Sequence, residues 1–116
     1  MDLAELGRLV EQGDGTTLEF KKSTGELREA MEAVCGMLNA FGNGKVLFGV
    51  TNAGEVVGQD VADRTLNDIA NESRKLEPKA DVTTIRAALP SGRTVLVVEA
   101  RAVEPGPFTC AGRPLL

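Results

Sequence analysis

The chain is poor in the side chains that carry much of protein chemistry. Its 116 residues contain no histidine, tryptophan or tyrosine, and only two cysteines and four phenylalanines. Without histidine, both His-dependent nucleophile pairs and histidine metal ligands are excluded. With so few aromatic rings, the stacking platforms typical of single-strand binders are almost absent.

Long apolar runs and a signal peptide are also missing. No stretch approaches the ~20 apolar residues that a membrane-spanning helix needs, so no membrane partner is predicted. The two cysteines, Cys35 in a helical pattern and Cys110 near the end, are therefore interpreted as reduced thiols of a cytoplasmic protein. Neither has the surroundings of a reactive nucleophile.

Positive charge is scarce in the first half of the chain. The formal net charge is −4; residues 1–60 carry 5 basic and 10 acidic side chains, and residues 61–116 carry 8 and 7. An acidic domain is a poor non-specific binder of nucleic acid, because that affinity comes mainly from neutralising phosphates. Any such contact must come from a local basic patch.

The pattern of apolar residues predicts an α+β domain over residues 1–116. The predicted elements are a short helix ending at Gly13, a strand at 17–21, a helix at 27–41, a strand at 45–50 with a hairpin partner at 55–58, a helix at 66–76, and a second hairpin of 82–89 with 94–100. Their order predicts a mixed sheet of five to six strands packed with two to three helices. The abrupt ending suggests a domain truncated at its C-terminus.

The strand "TLEFK" at 17–21 raises the question of a site, because alternation separates its side chains. Leu18 and Phe20 are expected in the core, and Glu19 and Lys21 on an outward face. Nearby stands the only basic group of the acidic half, which could hold phosphates if its strands are adjacent: Lys21, Lys22, Arg28 and Lys45. The alternative is a solvated face. A second basic set is interpreted as ordinary surface: Arg64, Arg74, Lys75 and Lys79.

Two acids near the same strand are weak catalytic candidates. Asp14 and Glu19, with a third acid on a neighbouring strand, would suit a divalent metal that cleaves phosphodiesters. The third position holds the neutral Thr51 and Asn52, so the alternative is surface acids with Glu19 paired to a lysine. No metal site is predicted.

The stretch "FGNGKV" at 41–46 does not fit a phosphate loop. Asn39 stands where the first glycine of that motif belongs, and Val46 follows Lys45 where serine or threonine is required. A tight connection from helix to strand explains the glycines, so no ATP site and no cofactor are predicted.

Several stretches together resemble the Schlafen AlbA-2 domain, from about residue 13 to 116. They are "TTLEFKKS", "NAFGNGKVLFGVTNAGEVVGQDV", "LPSGRTVLVVEA" and "PFTCAGRPLL". The resemblance implies an α+β domain with a DNA-binding role in bacterial or archaeal transcriptional regulators and helicase-related proteins. Eukaryotic members cleave RNA with three acids; these positions correspond to Asp14, Glu19 and the neutral Thr51-Asn52, which argues against cleavage here.

Three functions follow, in order of preference. The first is a module of a transcriptional regulator that binds nucleic acid, DNA before RNA, through Lys21, Lys22, Arg28 and Lys45. The second is an interaction or homo-oligomerisation domain that uses "TVLVVEA" at 94–100 as an open sheet edge. The third is a metal-dependent endoribonuclease using Asp14 and Glu19.

Overall fold

The computed structural model describes residues 1–110, and of residues 113–114 the course of the backbone. The helices are α1 (Leu3–Glu11), α2 (Leu27–Phe41) and α3 (Asp63–Ser73), with a 3₁₀ turn at Thr24–Glu26. The strands are β1 (Leu18–Lys21), β2 (Asn43–Phe48), β3 (Leu76–Glu77), β4 (Ala80–Ala88), β5 (Thr94–Ala102), β6 (Thr109–Cys110) and β7 (Arg113–Pro114).

The strands form a mixed four-stranded sheet in the order β1-β2-β5-β4. β1 lies parallel to β2, and the other two pairings are antiparallel. A small second sheet has the order β3-β6-β7. The predicted α+β class is thus confirmed, and so is the hairpin of β4 with β5. The prediction of five to six strands in one sheet is wrong. β3, β6 and β7, each only two residues long, pair with one another and form the small second sheet instead.

Each face of the main sheet packs against its own helix. The α2-face cluster contains Leu27, Ala30, Met31, Val34, Cys35, Leu38, Val46, Phe48, Ile69, Leu76, Leu96, Val98, Ala100, Phe108 and Cys110. The α1-face cluster contains Leu6, Leu9, Leu18, Phe20, Leu47, Val50, Ala87, Val95 and Val97. Successive residues of β2 alternate between the clusters, as the two-residue period of a strand requires.

α2 begins and ends where its sequence indicates. The hydroxyl of Ser23 accepts the amide of Gly25 at 3.1 Å, and the carboxylate of Glu26 reaches back to the amide of Lys22 at 3.2 Å. Both bonds belong to the 3₁₀ turn that leads into α2, with Ser23 as the N-cap of that turn. The N-cap residue of α2 itself is Glu26, which makes no side-chain capping bond. At the other end Gly42 takes φ +76° and donates to Leu38 O at 3.0 Å, a left-handed cap that favours glycine.

The predicted strand at 55–58 is wrong. β2 ends at Phe48, and only an isolated bridge joins Val50 to Val56. Gly49 has φ +106°, and a Cβ there would lie 2.8 Å from Gly58 Cα. The chain therefore folds back too tightly at this point to continue a strand ladder. The amides of Gly49 and Val50 instead both donate to Lys21 O, at the end of β1.

The proposed open edge at "TVLVVEA" is also wrong. These residues belong to β5, which is hydrogen-bonded to β2 on one side and to β4 on the other. The edges of the main sheet are β1 and β4. The apolar run is thus the signature of a central strand, covered on both faces. Among the described residues, no helix has the length and apolar character needed to cross a bilayer.

Candidate nucleic-acid interface

The charged residues of β1 lie on the sheet face that α2 covers. Leu18 and Phe20 belong to the α1-face cluster, as predicted for the core. Glu19 pairs in register with Val46, whose side chain is in the α2-face cluster. Glu19 and Lys21 are consequently half-buried at the edge of this layer. The expectation that they simply face outward is wrong, because the sheet is covered on both sides.

The surroundings of Glu19 disfavour the charged form of its carboxylate. Its Oε2 is buried and has no hydrogen-bond partner among the described residues. Burial raises the pKa of Glu19, the ammonium of Lys21 opposes this effect, and the negative charge of Asp14 adds to it. Glu26 and Glu29 raise it further. Asp14 thus contributes to the electrostatic environment of Glu19, and a shared site of these two acids stays a prediction.

The position predicted for a third acid is occupied by a turn. Thr51 Oγ1 accepts the amide of Glu55 at 3.0 Å, and the Thr51 amide donates to Glu55 O at 2.9 Å. Within the described part of the chain, no three His, Cys, Asp or Glu residues come together as a metal-binding set. The Asp14–Glu19 pair therefore stands as two acids beside a lysine, and its catalytic role stays a hypothesis.

The four predicted phosphate ligands are divided between the two faces of the sheet. Lys21 lies on the α2 face, with Nζ 3.9 Å from Glu29 Oε2 and a side chain only 18% exposed. Lys45 pairs in register with Leu18 and lies on the α1 face, with Nζ 3.6 Å from Glu99 Oε1. β1 and β2 are adjacent, but these two lysines do not converge, because their register places them on opposite sides.

Lys22 and Arg28 are the less compensated members of the group. Both are exposed, at the end of β1 and in the first turn of α2. Among the described residues, neither has a carboxylate within the 4.0 Å that defines an ion pair. Arg28 lines a shallow cavity of about 340 Å³ together with the acids Asp68 and Glu72 of α3.

Sequence reasoning missed a second basic surface, in a groove of about 580 Å³ between α3 and β4. The groove is lined by Leu66, Ile69, Ala70, Ser73, Arg74, Lys79, Ala80, Val82, Thr84 and Arg86. Three of these are cations and none is an acid. The two-residue period of β4 could have indicated this surface, because it puts the side chain of Arg86 on the same face of the strand as that of Val82. The packing of α3 against that face is not visible in the sequence.

Both cysteines belong to the core. Cys35 and Cys110 are free and buried in the α2-face cluster. Burial and the neighbouring Cys110 thiol, with which it shares a hydrogen bond, raise the pKa of Cys35 to about 12. A thiol with so high a pKa is almost entirely protonated at neutral pH, so Cys35 is a structural residue.

The fold is an α+β domain with a mixed four-stranded sheet. The family model "Schlafen, AlbA_2" matches residues 14–114. The chain belongs to the Schlafen AlbA-2 domain family, which confirms the resemblance inferred from its motifs. Membership associates the domain with nucleic acids in general. A search of curated proteins finds no match for the chain.

Proposed function

We propose that this chain is the nucleic-acid-binding domain of a transcriptional regulator and that it prefers DNA to RNA. The observation that carries the proposal is the family match over residues 14–114. Contacts to backbone phosphates suit the composition better than stacking on bases. Phe20, Phe48 and Phe108 are buried, which leaves Phe41 as the one exposed aromatic ring, too few for a stacking platform.

Among the four predicted contact residues, Lys22 and Arg28 lead the proposed interface. Both are exposed and have no close carboxylate among the described residues, so a phosphate would be their first anionic partner. Lys21 and Lys45 would have to exchange Glu29 and Glu99 for a phosphate. Their contribution is accordingly smaller, because each exchange gives up an existing ion pair.

Fluorescence anisotropy of labelled single- and double-stranded DNA and RNA, at two or more salt concentrations, tests the function. We expect salt-sensitive binding that is tighter for DNA. Each lost phosphate contact lowers the slope of log K against log salt by about 0.9 for duplex DNA. The Lys22→Glu/Arg28→Glu variant should therefore bind less tightly and with a flatter salt dependence.

A matched control separates specific contacts from net charge. Arg8→Glu/Arg93→Glu makes the same change in net charge at two exposed arginines outside the proposed interface. It should reduce affinity much less. Absence of binding by the wild type at low salt would overturn the function, and equal losses in both variants would overturn the assignment to Lys22 and Arg28.

A second candidate is homo-oligomerisation through β4, the nine-residue edge strand of the main sheet. The N-terminal ammonium donates to Arg86 O at 3.3 Å and covers one end of this edge. The part from Ala80 to Thr84 pairs with β5 alone and could accept a second strand. A single monomeric species in multi-angle light scattering at high protein concentration would exclude this candidate.

A further inference from the structure

The groove between α3 and β4 combines an apolar floor with a basic rim. The apolar lining consists of Leu66 and Ala70 of α3 and Val82 of β4, and Ile69, which is only 2% exposed, belongs to the core. Arg74, Lys79 and Arg86 form the rim, and no acid is among the lining residues. In a chain with a net charge of −4, such a local excess of positive charge favours an anionic ligand that also has apolar surface.

The rim cations are available to a ligand. All three side chains are exposed, and among the described residues none has a carboxylate within 4.0 Å. The Lys79 ammonium donates to Arg74 O at 2.8 Å, and the Arg74 guanidinium contacts the side-chain oxygen of Asn71. These neutral partners hold the two side chains at the C-terminal end of α3 without cancelling their charge.

The rim charges stand at two separate ends of the groove. Arg74 and Lys79 share one end, directly before β4 begins at Ala80. Arg86 lies seven residues beyond Lys79, and an extended chain of that length spans about 23 Å at ~3.3 Å per residue. A single phosphate group cannot contact both ends. The spacing therefore favours a chain of phosphates over one free nucleotide.

We propose that this groove holds a short single-stranded segment of nucleic acid. One phosphate binds Arg74 and Lys79, a later phosphate binds Arg86, and the intervening nucleotides lie on the floor formed by Leu66, Ala70 and Val82. A duplex suits the groove less, because its bases are stacked inside and present no apolar surface to this floor. The proposal rests on the proposed function, and it adds a second surface at the sheet edge opposite β1.

The test uses the full chain and fluorescein-labelled oligothymidylates of increasing length, titrated over a range of salt. Lys79→Gln/Arg86→Gln removes one cation from each end of the groove. Its salt slope should fall in magnitude by roughly 1.4, since each contact to a single strand contributes about 0.7. Lys75→Gln/Arg93→Gln makes the same charge change at exposed residues outside the groove lining and should keep the wild-type slope.

The outcomes separate this inference from the function on which it rests. If the wild type binds no nucleic acid at low salt, both fall. If it binds, but the groove variant keeps the wild-type slope, the groove is excluded while the function stands. A dinucleotide that binds as tightly as longer oligomers would overturn the two-ended contact. A duplex whose binding depends equally on Lys79 and Arg86 would overturn the preference for a single strand.

Discussion

The two faces of the main sheet are built differently. The α2 face lies under a helix of 15 residues, α3 and the segment that carries Phe108. The α1 face lies under a helix of 9 residues. Beyond the reach of that helix, the strands carry charged side chains in cross-strand pairs, Lys45 with Glu99 and Arg101 with Asp81. One face is therefore stabilised almost entirely by packing, and the other partly by exposed polar pairs.

The same strands contribute side chains to two different environments. In β5, Leu96 and Val98 pack under α2, while Val95 and Val97 pack under α1. Glu99 and Arg101 continue the α1 face, where the covering helix no longer shields them, and they are not buried. The length of the covering helix thus determines at which position along a strand charged side chains replace apolar ones.

The largest expected effect is the loss of packing on the α2 face. Phe48→Ala should lower the free energy of unfolding by about 3–5 kcal/mol, because the ring is fully buried and its removal leaves a cavity. Leu6→Ala, on the α1 face, should fall in the lower part of the roughly 2–5 kcal/mol range for such truncations, since the short α1 can shift to fill the space. Chemical denaturation measures both, and the reverse order would contradict the comparison.

The next effect concerns the link between α2 and the small sheet. Asn39 Oδ1 accepts the amide of Phe108 at 2.6 Å, and Asn39 Nδ2 donates to Phe108 O at 3.1 Å. Asn39→Ala leaves two partly buried backbone groups unsatisfied and should cost about 1–3 kcal/mol. It should also speed hydrogen exchange at the Phe108 amide. Asn67→Ala, at an exposed position of α3, is the control and should change neither measurement.

Much of the fold could be predicted from local patterns. The span of α2, the central position of β2 and the β4–β5 hairpin all depend on neighbouring residues and short turns. The segment 55–58 could not be predicted, because its apolar residues resemble a strand while Gly54 and Gly58, at φ +87° and +68°, end it. Nor could the division into two sheets, which depends on contacts between distant segments.

The candidate site was harder to predict because it depends on register. Alternation within β1 correctly separates Glu19 from Phe20, but it does not give the alignment of β1 with β2. A shift of one residue would put Lys45 on the same face as Lys21; the observed register puts it beside Leu18 instead. The α3–β4 groove was missed for a similar reason, since helix packing brings Arg74 and Arg86 to one surface.

A smaller effect, dependent on pH, comes from Glu19 at the edge of the α2 face. Since burial raises its pKa above the usual 4.5 in the folded state, the folded protein binds the proton more tightly than the unfolded chain. Stability from this group is thus present below pH 4.5 and falls as the pH rises through the folded pKa. Glu19→Gln should be more stable than wild type at neutral pH.

The difference between Glu19→Gln and wild type should shrink as the pH falls below the ordinary carboxyl range. Thermal melts of both proteins across acidic and neutral pH measure it. A constant difference at all pH values would show that the carboxylate is not destabilised by burial. Glu5→Gln, at an exposed position of α1, is the control for a change of charge alone.

The smallest expected effect is the loss of an ion pair on the α1 face. Lys45 and Glu99 are both about 40% exposed, at 42% and 37%. Exposed pairs contribute about 0.2–1 kcal/mol and are screened by salt. A double-mutant cycle of Lys45→Ala and Glu99→Ala should give a coupling energy in this range that declines in high salt. A coupling energy as large as the loss of unfolding free energy expected for Asn39→Ala would contradict the view that exposed ion pairs on the α1 face contribute little stability.

The topology of the main sheet also bears on the order in which the chain can fold. β1, α2 and β2 are consecutive in sequence, and so are β4 and β5, so each half of the sheet can form from nearby residues. The two halves of the sheet are joined by the β2–β5 ladder, where Phe48 pairs with Leu96, 48 residues later. Closing so long a loop costs more conformational entropy than forming the local pairings within each half. We therefore expect the joining of the two halves to be the slow step of folding, and we expect substitutions at Val46 or Val98, which face each other across that ladder, to slow refolding.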